Sequence, residues 1–142
     1  MRNSRVRFGL TIAALLAFAS PAFADMTTYK CDLKGADEVP PNDSKGSGTV
    51  EGKYDSSSMK FSYTVTYKGL SGPATAAHFH GPAKAGANAG PIITVPAPLD
   101  SPMTGEATLT KAQADDLANG MWYFNVHTAM HQPGEIRCQL KK

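Results

Sequence analysis

Apolar and polar side chains alternate with a period of two in several short runs, and glycine, proline, asparagine and serine separate those runs. That pattern marks short strands with one buried face, joined by turns into an antiparallel fold. Tyr29, Cys31 and Leu33 alternate with Lys30, Asp32 and Lys34 in the first run. The stretch "GADEVPPNDSKGSG" follows and reads as loop, with two consecutive prolines and three glycines. "TVEGKYD" and "MKFSYTVTYKGL" then read as a hairpin, with Met59, Phe61, Tyr63, Val65 and Tyr67 on its apolar face.

"TAAHFHG" reads as a further strand ending at Gly81-Pro82, and "AKAGANAGP" after it has no periodicity, so a long loop is expected. "IITV" and "GEATLT" supply two more short strands. One helix is expected in "LTKAQADDLANG": Thr110 and Gln113 have capping-box spacing, and Gly120 supplies a stop. The last strands, "MWYFNVHT" and "EIRCQL", alternate most clearly. Trp122, Phe124 and Val126 share one face, Tyr123, Asn125 and His127 the other, and Ile136, Cys138 and Leu140 point inward. The whole predicts an all-β chain, an immunoglobulin-like or Greek-key antiparallel β-sandwich with one short connector helix.

Composition changes this picture at the N-terminus. Residues 1–24 hold three arginines, an apolar run and a small-residue ending at Ala22-Phe23-Ala24, the pattern of a secretory signal peptide. The apolar run is too short for a span of about 20 residues. A secreted or periplasmic domain over residues 25–142 is therefore expected. Residues 25–142 carry 11 basic and 12 acidic side chains, a net of −1, and the lysines are scattered, which argues against a nucleic-acid partner. Both cysteines, Cys31 and Cys138, lie in the exported part, where disulfides persist, and are expected to pair.

The candidate chemistry lies in the four histidines, His78 and His80 in "AAHFHGPA" and His127 and His131 in "NVHTAMHQPGE". On a strand, residues i and i+2 project from one side about 7 Å apart along the backbone. Both imidazoles can then reach one ion about 2 Å away, while Phe79 points into the core. His127 lies opposite Trp122, Phe124 and Val126 and is free to face the same ion, and His131 follows on the turn. An isolated exposed histidine would carry no such meaning, but two closely spaced pairs, with no other histidine in the chain, predict a shared metal site. Imidazole donors suit copper, zinc or nickel, and copper leads by affinity, with zinc as the alternative. Asn125 and Glu135 are the expected partners for the outer ring nitrogens. Serine-hydrolase, phosphate-loop and zinc-protease motifs are absent from the sequence.

The blocks "GADEVPP", "AAHFHGPA", "GEATLTKAQADDLANGMWYFNVHT" and "PGEIRCQL", in that order, resemble the CHRD domain, named after chordin. That resemblance implies an immunoglobulin-like β fold and, taken literally, a structural or interaction module in which the histidines are incidental. The order of H-x-H strand, glycine-rich loop, V-H strand and closing cysteine strand is also distantly similar to that of copper–zinc superoxide dismutases. This second resemblance implies copper ligation by His78, His80 and His127, a disulfide through Cys138 and a substrate-guiding role for Arg137. The loop after His80 contains no histidine for a zinc subsite, and His131 has no counterpart in the dismutase pattern. Three expectations result: a copper protein that dismutes superoxide, a copper storage or delivery protein without turnover, and a metal-free interaction module. A homodimer is the expected form of any self-association.

Overall fold

The computed structural model describes residues 25–142, so the signal-peptide expectation for residues 1–24 lies outside the described residues. Eight strands form one continuous antiparallel sheet. In chain order they are β1 (Met26–Lys34), β2 (Ser47–Asp55), β3 (Lys60–Lys68), β4 (Ala74–His80), β5 (Pro91–Thr94), β6 (Met103–Thr108), β7 (Tyr123–Thr128) and β8 (Ile136–Gln139). The spatial order is β5-β4-β7-β8-β1-β2-β3-β6. A short helix, α1 (Lys111–Ala118), connects β6 to β7, and a 3-10 turn over Gly35–Asp37 follows β1.

The sheet folds over its own middle. Phe61 and Tyr63 of β3 meet Phe79 of β4 with ring centroids 5.4 and 4.9 Å apart, and Phe61 meets Trp122 at 5.5 Å. These edge and tilted contacts are the geometry that aromatic quadrupoles favour. They place β1-β2-β3-β6 over β5-β4-β7-β8 as two layers of a sandwich, with Phe61, Phe79, Trp122, Phe124, Val126 and Ile136 fully enclosed between them. The all-β sandwich read from the alternation is therefore the observed class.

The seam between the layers is the β1/β8 pair. It is held by Lys34 opposite Arg137, by a bridge between Lys30 and Lys141, and by the Cys31–Cys138 disulfide across a sequence separation of 107. Helix α1 starts as its sequence dictates: the Thr110 hydroxyl accepts from the Gln113 backbone N–H, and the Gln113 side chain accepts from the Thr110 N–H. Gly120, at φ +69°, ends it in the left-handed region where glycine is unstrained.

The outer face of β4, β7 and β8 departs from a simple sandwich. Alternation leads one to expect it to be solvated, yet Asn125 and Arg137 are 3% and 2% exposed. The irregular segments 35–46 and 81–90 lie over this face. Their polar groups reach into it, among them Asn42 Nδ2, which donates to the carbonyls of Gly134 and Glu135. A second, polar layer of buried side chains thus lies behind the strands that carry the histidines.

Candidate metal site

β4 and β7 are hydrogen-bonded neighbours, with His78 opposite Asn125, His80 opposite Tyr123 and Ala76 opposite His127. Directly opposed residues share a face. His78, His80 and His127 therefore all project outward, and Phe79, between the first two, is fully buried in the core. The regular register from Ala76 opposite His127 to His78 opposite Asn125 sets His127 diagonally to His78. One ligand-capable atom from each of the three histidines lies within 4.8 Å of the others. The ring centroids are 5.0 Å apart for His78 and His127, 5.4 Å for His78 and His80, and 6.4 Å for His80 and His127.

The hydrogen bonds of these rings decide which nitrogens are free. His80 Nδ1 lies 2.9 Å from the Ala89 carbonyl and His127 Nδ1 lies 2.8 Å from the Gln132 carbonyl. A carbonyl oxygen only accepts, so each Nδ1 donates to it, and the Nε2 of a neutral ring held this way keeps a lone pair. His78 Nδ1 approaches His127 Nε2 at 3.1 Å and donates to it; a metal ion between them would take that proton's place. His78 Nδ1 and His127 Nε2 thus face each other, and one ring nitrogen of His80 lies within 4.8 Å of the group. A carbonyl on the remote nitrogen is the usual outer partner of a metal-bound imidazole, fixing its tautomer and orientation.

Electrostatics favour the neutral, ligating form. Burial, followed by the neighbouring His127 and His80, pushes His78 below its ordinary value. Burial also lowers His80 against the opposing pull of its bonds to Ala89 and Asn125. His80 Nε2 faces a second acceptor, Asn125 Oδ1 at 3.0 Å, while Asn125 Nδ2 donates to the Pro133 carbonyl; a neutral ring has one proton for these two acceptors, and an ion at Nε2 requires the Asn125 amide to give way.

His131, expected as a fourth ligand, stands outside the group of three. Its backbone builds the β7–β8 turn: its N–H donates to Thr128 Oγ1 and its carbonyl accepts from Gly134. That turn presents the Gln132 carbonyl to His127. Arg137 is not placed to meet an anion from solvent. Its guanidinium lies 3.4 Å over the centre of the Tyr123 ring, and its nitrogens donate to Asn88 Oδ1 at 2.8 Å and to the Ala87 carbonyl. Asn125 meets His80 as expected, though at Nε2 and through its oxygen, and Glu135 is not a partner of the histidines. Its carboxylate accepts from Ser44, Ser71 and Thr128, which together hold it below the ordinary carboxylate range despite burial.

Three contributors were not visible in the sequence, the carbonyls of Ala89 and Gln132 and the carboxyl of Glu38, and a fourth, Tyr123, was. The carbonyls of Ala89 and Gln132 are backbone groups that no residue type announces. Tyr123 stacks on His80 with centroids 4.6 Å apart and planes within 1°, and its place on the histidine face did follow from alternation. Glu38, from the proline-rich loop, is 5% exposed, and burial pushes its carboxyl up to about 7 against the pull of Arg137 and Asn125.

Fold and site together define an antiparallel β-sandwich that carries a cluster of three histidines on its outer face. The CHRD domain family model matches residues 29–140, and the chain belongs to that family. No curated protein and no solved structure gave a significant match. Among the described residues no helix is long and apolar enough to cross a membrane, and the disulfide and the domain fit an extracellular protein.

Proposed function

We propose that this CHRD-domain chain is an exported copper protein in which His78, His80 and His127 hold one ion, with a further coordination position open to a small reactant. The observation that carries the reading is the convergence of three imidazole nitrogens within 4.8 Å, together with backbone carbonyls that accept from Nδ1 of two of the rings. Three imidazoles suit copper first and zinc second.

A bound copper ion would supply one-electron exchange at its open position, the chemistry that dismutation of superoxide requires. The chain's own contribution is to favour the neutral form of His78 and His80 by burial, to hold His80 and His127 through Ala89 and Gln132, and to leave the half-buried His78 and His127 facing solvent so that a small anion can arrive. Lys84, exposed on the 81–90 loop, is the cation left to draw an anion in now that Arg137 is enclosed.

Measuring superoxide consumption by the copper-loaded protein tests the reading. A fast rate that falls with ionic strength and disappears in His78→Ala is expected. A loaded protein that binds copper tightly, shows no turnover and yields the metal to a chelator would leave a storage or delivery protein instead.

A further inference from the structure

His80 is the last residue of β4, and its pairing with β5 is irregular between Phe79 and His80, so the strand ladder alone does not fix its ring. The ring is fixed by the loop. Ala89 lies in a segment without regular structure, flanked by Gly86 and Gly90, and its carbonyl accepts from both His80 Nδ1 and the Tyr123 hydroxyl. The Tyr123 hydroxyl also accepts from the Ala89 N–H, and the two residues before Ala89 are held by Arg137. Its planar fork grips the Ala87 carbonyl and the Asn88 side chain, while the Asn88 amide in turn donates to the Val39 carbonyl. The face of the same guanidinium lies on Tyr123, and Tyr123 is stacked on His80.

We propose that Arg137 is a positioning residue for His80, acting through the guanidinium–Tyr123–imidazole stack and through the loop that carries Ala89; its purpose rests on the metal reading above. A desolvated cation over an aromatic face is worth more than an exposed one, and arginine alone stacks and forks at the same time. Lysine keeps the charge but cannot hold two loop oxygens while covering the ring. Arg137 therefore acts from behind the site, as a brace that sets the direction of one imidazole.

Nitrogen-15 and proton resonances of the histidine rings, recorded on the metal-free chain, test this without any turnover. The wild type should show protonated Nδ1 with slow solvent exchange at both His80 and His127. In Arg137→Lys, and in Asn88→Ala at an exposed position that spares the core, the His80 proton should be lost to fast exchange while that of His127 persists. Copper affinity should fall by about 10- to 100-fold in both variants, the usual effect of removing an outer partner. An unchanged His80 signal and affinity in either folded variant overturns the proposal, as does simultaneous loss of both histidine signals. If the wild type takes up no copper, the metal reading fails, and the ring protons still decide whether Arg137 positions His80.

Discussion

His80 shows how much a single residue draws from its surroundings: it is 8% exposed, and its two ring nitrogens meet a loop carbonyl and a strand amide. The sequence made the three ligand candidates readable because strand alternation alone puts His78 and His80 on one side and Phe79 on the other. It did not make the Ala89 and Gln132 carbonyls readable, since carbonyls are common to every residue. Glu38 carries the most testable electrostatics at this scale. Its carboxyl is raised by burial to about 7 from an ordinary 4.5, so the folded chain holds the proton more tightly than the unfolded one. The stability this gives is fully present below pH 4.5 and is lost as pH rises through 7. His78 and His80 have the opposite sign, because their lowered values make the metal-free fold lose stability as pH falls through 6.5. They are common to wild type and Glu38→Gln, so their effect cancels in the comparison. Urea unfolding of the two proteins should match near pH 4.5, with Glu38→Gln becoming the more stable above pH 7; a difference independent of pH would contradict the assignment.

Among the elements, the hairpin β2–β3, helix α1 and the closing strands follow from local rules, and the inward residues read for the closing strands, Trp122, Phe124, Val126, Ile136, Cys138 and Leu140, are buried. The helix can be tested on its own. Thr110→Ala removes the hydroxyl that accepts from Gln113 and should cost about 1 kcal/mol in chemical denaturation. Because α1 does not touch the histidine face, copper affinity should stay as in the wild type; a parallel loss of affinity would show that the connector shapes the site. The loops were the illegible elements. Segments 35–46 and 81–90 have no periodicity, and their glycines and prolines say only that they turn. Yet they cover the outer face and bury Asn125 and Arg137, turning the expected anion guide into a brace. Arg137 adjoins Cys138 in a strand whose alternation suggested an outward, solvated side chain; only the loop above it decides otherwise. His131 shows a related limit, because proximity in sequence to His127 does not carry a side chain back across a turn.

For the molecule as a whole, the sandwich closes across one seam, and the Cys31–Cys138 disulfide fastens it next to the Lys34–Arg137 pair. Closing a loop that long restrains the unfolded chain by about 4 to 5 kcal/mol in loop-closure entropy. The double variant Cys31→Ser, Cys138→Ser should therefore lose stability of that order in denaturant unfolding under oxidising conditions. A loss below about 1 kcal/mol would mean that the β1/β8 seam holds without it. The disulfide and the CHRD family fit an extracellular sandwich, and the metal site is what would give it chemistry. Electron paramagnetic resonance of the chain titrated with Cu(II) tests that claim most directly. One ion per chain with hyperfine coupling to three imidazole nitrogens is expected, unchanged in His131→Ala and reduced in number in His127→Ala. Substoichiometric binding, or a spectrum indifferent to loss of His78, His80 and His127, would contradict the account.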